Sequence, residues 1–115
     1  MKAWASTDFQ RAEFACKCGC GFDTVDYGLV CVLEDIRAFF QQPVVISSGC
    51  RCESHNRVVG GKPSSQHLQG RAADITVKNI APAVVYEYLN RPEVGGLGKY
   101  ETFTHVDTRH GHARW

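Results

Sequence analysis

Long apolar runs are missing from this 115-residue chain. Nowhere do about eighteen apolar residues follow one another, so no transmembrane helix is expected. Residues 1–8 lack the apolar stretch of a secretory signal. An excess of one charge is absent too: thirteen basic residues stand against twelve acidic ones, for a formal charge of +1. That balance argues against nucleic acid or a membrane surface as partner, because both demand a basic stripe. Proline and methionine are scarce, and no low-complexity tract or repeat interrupts the chain. What remains is the composition of an ordinary globule, with 43% hydrophobic and 22% charged residues, of a size that suits one domain.

Cysteine is the residue in surplus. Cys16, Cys18, Cys20, Cys31, Cys50 and Cys52 are many for this length. Without a secretory signal a disulfide framework is not the default. Cys16-Lys17-Cys18-Gly19-Cys20-Gly21 reads as a tight glycine-rich loop. Its thiols suit a second metal site, with Cys52 as a fourth thiolate. Free thiols, or one disulfide to Cys50 or Cys52, are the alternatives.

The strongest periodic stretch runs from Val25 to Gln41. Val25, Leu29, Val32, Leu33, Ile36, Phe39 and Phe40 recur at helical spacing, with Asp23 or Thr24 as cap and Pro43 beyond the end. Cys31 within it reads as a small buried side chain. Residues 1–15, with Trp4, Phe9 and Phe14, predict a short helix or turn laid over the core. Residues 43–47 and 72–77 predict strands, with helical turns over 53–59 between them. Residues 81–89 predict a helix with Pro82 in its first turn. Residues 95–100 read as a flexible or tightly turning glycine segment before a last strand over 102–107. This order predicts an α+β fold with a small antiparallel or mixed sheet flanked by helices. The chain is expected to be a single domain, with residues 1–24 a cysteine-containing extension packed on it.

Two compact motifs carry chemistry. Residues 64–75, SSQHLQGRAADI, hold His67 and Asp74. Residues 105–110, HVDTRH, hold His105, Asp107 and His110. A mononuclear hydrolytic zinc site needs three nitrogen or oxygen ligands, an open position for water and a nearby base. Side chains on a strand repeat every two residues, so His105 and Asp107 share a face while His110 has the opposite parity. The spacing favours His67, Asp74 and His105 as ligands, with His110 as the substitute. His55 and His112 lack such neighbours and read as surface or structural residues.

The combination resembles the zinc D-Ala-D-Ala carboxypeptidases, together with phage endolysin peptidases and the hedgehog domain of the same fold. The resemblance rests on Ser65, His67, Gly70, Ala72 and Asp74 in the register S-x-H-x-x-G-x-A-x-D. It also rests on the later His105-Val106-Asp107 and on Ser48-Gly49-Cys50-Arg51, and spans about residues 30–115. It implies that zinc is held by His67, Asp74 and either His105 or, as in some members, His110. It further implies Asp107 as general base, and Arg51, with Ser65, as substrate-binding groups, Arg51 clamping a carboxylate or polarising the scissile carbonyl. The residue before the arginine is often aromatic in that family, and here it is Cys50.

Peptidoglycan stem peptides are the substrate so implied, with removal of a terminal D-Ala as the simplest reaction. An endopeptidase cutting within the stem, and a non-catalytic binding or tail-structural module, are the alternative readings. A monomer made in the bacterial cytoplasm, of phage or prophage origin and acting on the cell wall, completes the expectation.

Overall fold

The polypeptide is built on a five-stranded mixed sheet carrying helices on one face and a cleft on the other. The computed structural model describes residues 8–115, so Trp4 lies outside the described residues. Helix α1 spans Tyr27–Phe40, strand β1 Val44–Ser48, helix α2 Glu53–Val58 and strand β2 Ala72–Val77. Helix α3 spans Pro82–Leu89, followed by β3 Gly96–Lys99, β4 Thr104–Asp107 and β5 Ala113–Arg114. Short 3-10 turns at Arg11–Phe14 and Gln66–Gln69 complete the set. The strand order is β1-β2-β4-β3-β5, antiparallel except for the parallel β3–β5 pair. The expected α+β class is therefore the observed one.

Alternation along the strands divides the sheet. Ile46, Ala73, Ile75, Val77, Leu97 and Val106 face the helices and pack on Leu29, Val30, Leu33 and Ile36 of α1 and on Val85 and Leu89 of α3. Asp74, His105 and Asp107 take the opposite parity, and of these Asp74 and His105 line the cleft. Phe9 and Phe14 close the core from the N-terminal side. Among the described residues no helix is long and apolar enough to cross a membrane.

Several local expectations change. The cap of α1 is Asp26, whose carboxylate accepts from the Leu29 N–H at 3.2 Å and from the Thr108 hydroxyl at 2.9 Å. Phe39 belongs to the outer side, stacked on Tyr88 with centroids 4.0 Å apart. Cys31 is exposed rather than buried, because Val30, one position earlier, takes the core-facing place.

Gly96–Lys99 form a strand paired on both sides, with β4 and β5, instead of a loose turn. The glycines there serve close approach within a strand: a Cβ on Gly96 would collide with the Asp107 carboxylate, and one on Gly98 with the Trp115 indole.

Candidate metal centre

The cleft measures about 660 Å³. Three side chains from three segments meet in it. His67 sits in the 3-10 turn after Ser65, whose hydroxyl accepts from the His67 N–H at 3.2 Å. Gly70 ends that turn at φ +68°, where a Cβ would strike the Thr24 carbonyl, so only glycine returns the chain to β2 at this point. Asp74 and His105 are direct cross-strand partners in β2 and β4.

Hydrogen bonding assigns each ring nitrogen. The Gly49 carbonyl can only accept, so His67 Nδ1, 2.6 Å away, carries the proton and Nε2 is left as a lone pair. Likewise Asp107 Oδ2 accepts from His105 Nε2 at 2.8 Å, which frees His105 Nδ1. The two free nitrogens both point at Asp74 Oδ1, His67 Nε2 from 3.3 Å and His105 Nδ1 from 3.0 Å. A tetrahedral site with bonds of about 2.0–2.1 Å has edges of about 3.3–3.4 Å. Three converging ligand atoms, all within 4.8 Å of one another and each ring held from behind by an acceptor, fit a divalent cation and its supporting shell.

The electrostatics agree. Burial alone would raise the Asp74 pKa, but the His105 and His67 rings that face it bring it down to about 2. Burial opposes a charged His105, yet the Asp107 and Asp74 carboxylates on its two sides carry its pKa above the ordinary histidine value. Both shifts mark a place that holds positive charge well.

Arg51 stands over this centre. Its Nε donates to Ser48 Oγ at 3.3 Å, Nη1 to Asn56 Oδ1 at 3.0 Å, and Nη2 approaches Asp74 Oδ2 at 3.5 Å. Ser65 lines the cleft as well as capping the turn. His110 is exposed beyond β4 and lines no part of the cleft.

Asp107 lies elsewhere than a base requires. Its side chain is wholly buried behind His105, and it does not line the cleft. Oδ1 accepts from the Arg109 N–H and Nε, and Oδ2 from Arg109 Nη2 and His105 Nε2. Burial would raise its pKa, but these bonds hold it far below the usual carboxylate range. A carboxylate so occupied does not accept a proton from water in the cleft. It fixes the His105 ring.

Three further groups shape the cleft. Asn56 is buried and ties Arg51 to the Lys62 carbonyl. Gln66 lines the cleft with Oε1 buried and without a hydrogen-bond partner among the described residues. Trp115 closes the far wall, its ring 5.0 Å from His105 and under the Arg109 guanidinium. Asn56, on α2, and Gln66, at the start of the 3-10 turn, carry no spacing signal.

The sequence profile of the peptidase M15 family matches residues 7–107. The chain belongs to the peptidase M15 family. The zinc D-Ala-D-Ala carboxypeptidase resemblance of the sequence is thereby shown, and members of peptidase M15 are zinc-dependent metallopeptidases. The match takes in Cys16, Cys18 and Cys20. Comparison with curated proteins finds no match.

Proposed function

We propose that this peptidase removes the terminal D-alanine from D-Ala-D-Ala stem peptides of peptidoglycan. The observation that carries the reading is the convergence of His67 Nε2, Asp74 Oδ1 and His105 Nδ1 beside the anchored Arg51 guanidinium. A zinc ion held there would supply Lewis acidity, polarising a carbonyl and lowering the pKa of a water to roughly 7.

The chain's own groups supply position and charge. Arg51 has five N–H donors; two are bonded to Ser48 and Asn56, and the Nη2 that pairs with Asp74 at 3.5 Å faces the centre where a carboxylate or a developing oxyanion would lie. Tyr100 and Phe103, stacked with centroids 4.3 Å apart, and Trp115 give an apolar wall that suits the small methyl of D-alanine. Asp107 keeps the His105 tautomer that leaves Nδ1 free.

The test is mass spectrometry of a pentapeptide-bearing muropeptide incubated with zinc-loaded protein, beside the His67→Ala variant. The expected product lacks one alanine and forms only with the native protein. Cleavage inside the stem would make the enzyme an endopeptidase. Unchanged substrate with zinc bound would replace catalysis by a binding role.

A further inference from the structure

We propose that Cys16, Cys18, Cys20 and Cys52 form a second, structural zinc site that clips the residue 16–22 loop to the loop carrying Arg51. It is independent of the catalytic reading. The four Sγ atoms lie within 4.8 Å of one another. Cys16–Cys18, Cys18–Cys52 and Cys16–Cys52 are separated by 3.4, 3.6 and 3.8 Å. A zinc tetrathiolate with bonds of about 2.3 Å has tetrahedral edges of about 3.8 Å. Disulfide sulfurs stand about 2.05 Å apart, and all six cysteines here are unpaired.

The backbone is shaped for the purpose. Two glycines at positive φ, Gly19 at +84° and Gly21 at +90°, fold the loop so that three cysteines at alternate positions turn inward together. The Gly19 N–H donates to the Cys16 carbonyl at 3.2 Å. Cys52 caps α2, and its sulfur accepts from the His55 N–H at 3.4 Å, while Cys16 Sγ accepts from the Cys52 N–H at 3.4 Å. Such N–H donors to sulfur stabilise thiolates. Thiolates crowded together need a cation to coexist, and a bound divalent ion holds coordinating thiols deprotonated. On binding, the four thiol protons leave to solvent as four sulfur–zinc bonds form, with no change of oxidation state.

Cys50 and Cys31 stand apart from the cluster. The Cys50 thiol donates to the Phe22 carbonyl at 2.9 Å, and Cys31 is exposed on α1. The consequence for the cleft follows from chain order. Cys52 adjoins Arg51, whose N–H donates to the His67 carbonyl at 2.9 Å, and Gly49 in the same loop holds His67 Nδ1. A thiolate clip therefore fixes the loop that positions both Arg51 and His67.

Metal analysis of the His67→Ala protein, which lacks a histidine ligand, isolates the cysteine site. We expect it to retain one tightly bound zinc. Its cobalt-substituted form should show sulfur-to-cobalt charge-transfer bands in the near ultraviolet with intense tetrahedral visible bands. Cys18→Ser and Cys20→Ser, both at exposed positions, should abolish those bands in the His67→Ala background. In the otherwise native chain each should leave the histidine-bound zinc in place. A folded His67→Ala protein without bound zinc overturns the proposal. So does a cobalt spectrum without sulfur charge transfer, or an intact mass showing a disulfide among these four in protein kept reduced.

Discussion

A single proton position decides what His105 does. Its Nε2–H is committed to Asp107, and Asp107 is committed in turn to Arg109. Removing the acceptor by Asp107→Ala frees the ring to rotate or change tautomer. Losing such an orienting carboxylate typically costs 10–100-fold in metal affinity, and that weakening, read by competition with a chromophoric chelator, is the expected outcome. A general base at this position would lose turnover with zinc affinity intact, so the two roles separate cleanly. His105→Ala should release the zinc at the histidine centre, whereas His110→Ala should retain it. The motif spacing brought His67, Asp74, His105 and Arg51 into view, because parity and the S-x-H-x-x-G-x-A-x-D register are local. Depth is not local. Parity put Asp107 on the face of His105 but carried no sign that Arg109 seals it behind that ring.

At the scale of elements, helices α1 and α3 and strands β1, β2 and β4 were legible from apolar spacing. Strand β3 was not, because Gly96 and Gly98 contribute no side chain to an alternating pattern. Their reason is tertiary: Gly96 makes room for Asp107, and Gly98 for Trp115. Gly96→Ala should therefore destabilise the fold by about 1–3 kcal/mol, as overpacking of a filled site does, read from denaturant melts. It should also weaken zinc binding, since the displaced carboxylate is the one that holds His105. A melt unchanged from the native protein would mean that Asp107 moves aside freely. The cysteine loop was visible as composition, with Cys52 readable as a fourth thiolate, but only the fold shows the four sulfurs within 4.8 Å of one another.

For the whole molecule, the near-neutral charge conceals an uneven distribution. Arg51, Lys62 and Arg109 line the cleft, while Asp74 lines it and Asp107 lies behind it. Three cations less two carboxylates leave one positive charge before any metal is counted. Such a cleft attracts an anionic peptide terminus through a field that salt screens, with a Debye length falling from about 30 Å at 0.01 M to about 10 Å at 0.1 M. KM for a stem peptide ending in a free carboxylate should rise across that range, and by less for the amidated peptide. Equal salt dependence for both would remove the role of the terminal charge. Composition supplied only the sum of charges, and the fold decides where they gather.

Asp74 and His105 face each other across the β2–β4 ladder, and they ligate from unequal lever arms. Nδ1 of His105 lies close to its own backbone, whereas His67 reaches out with the distal Nε2. An ion seated between Asp74 and His105 would act as a rivet through the middle of the sheet. Amides of β2 and β4 should then exchange with solvent more slowly in the loaded protein, while the segment around His67 keeps more of its freedom.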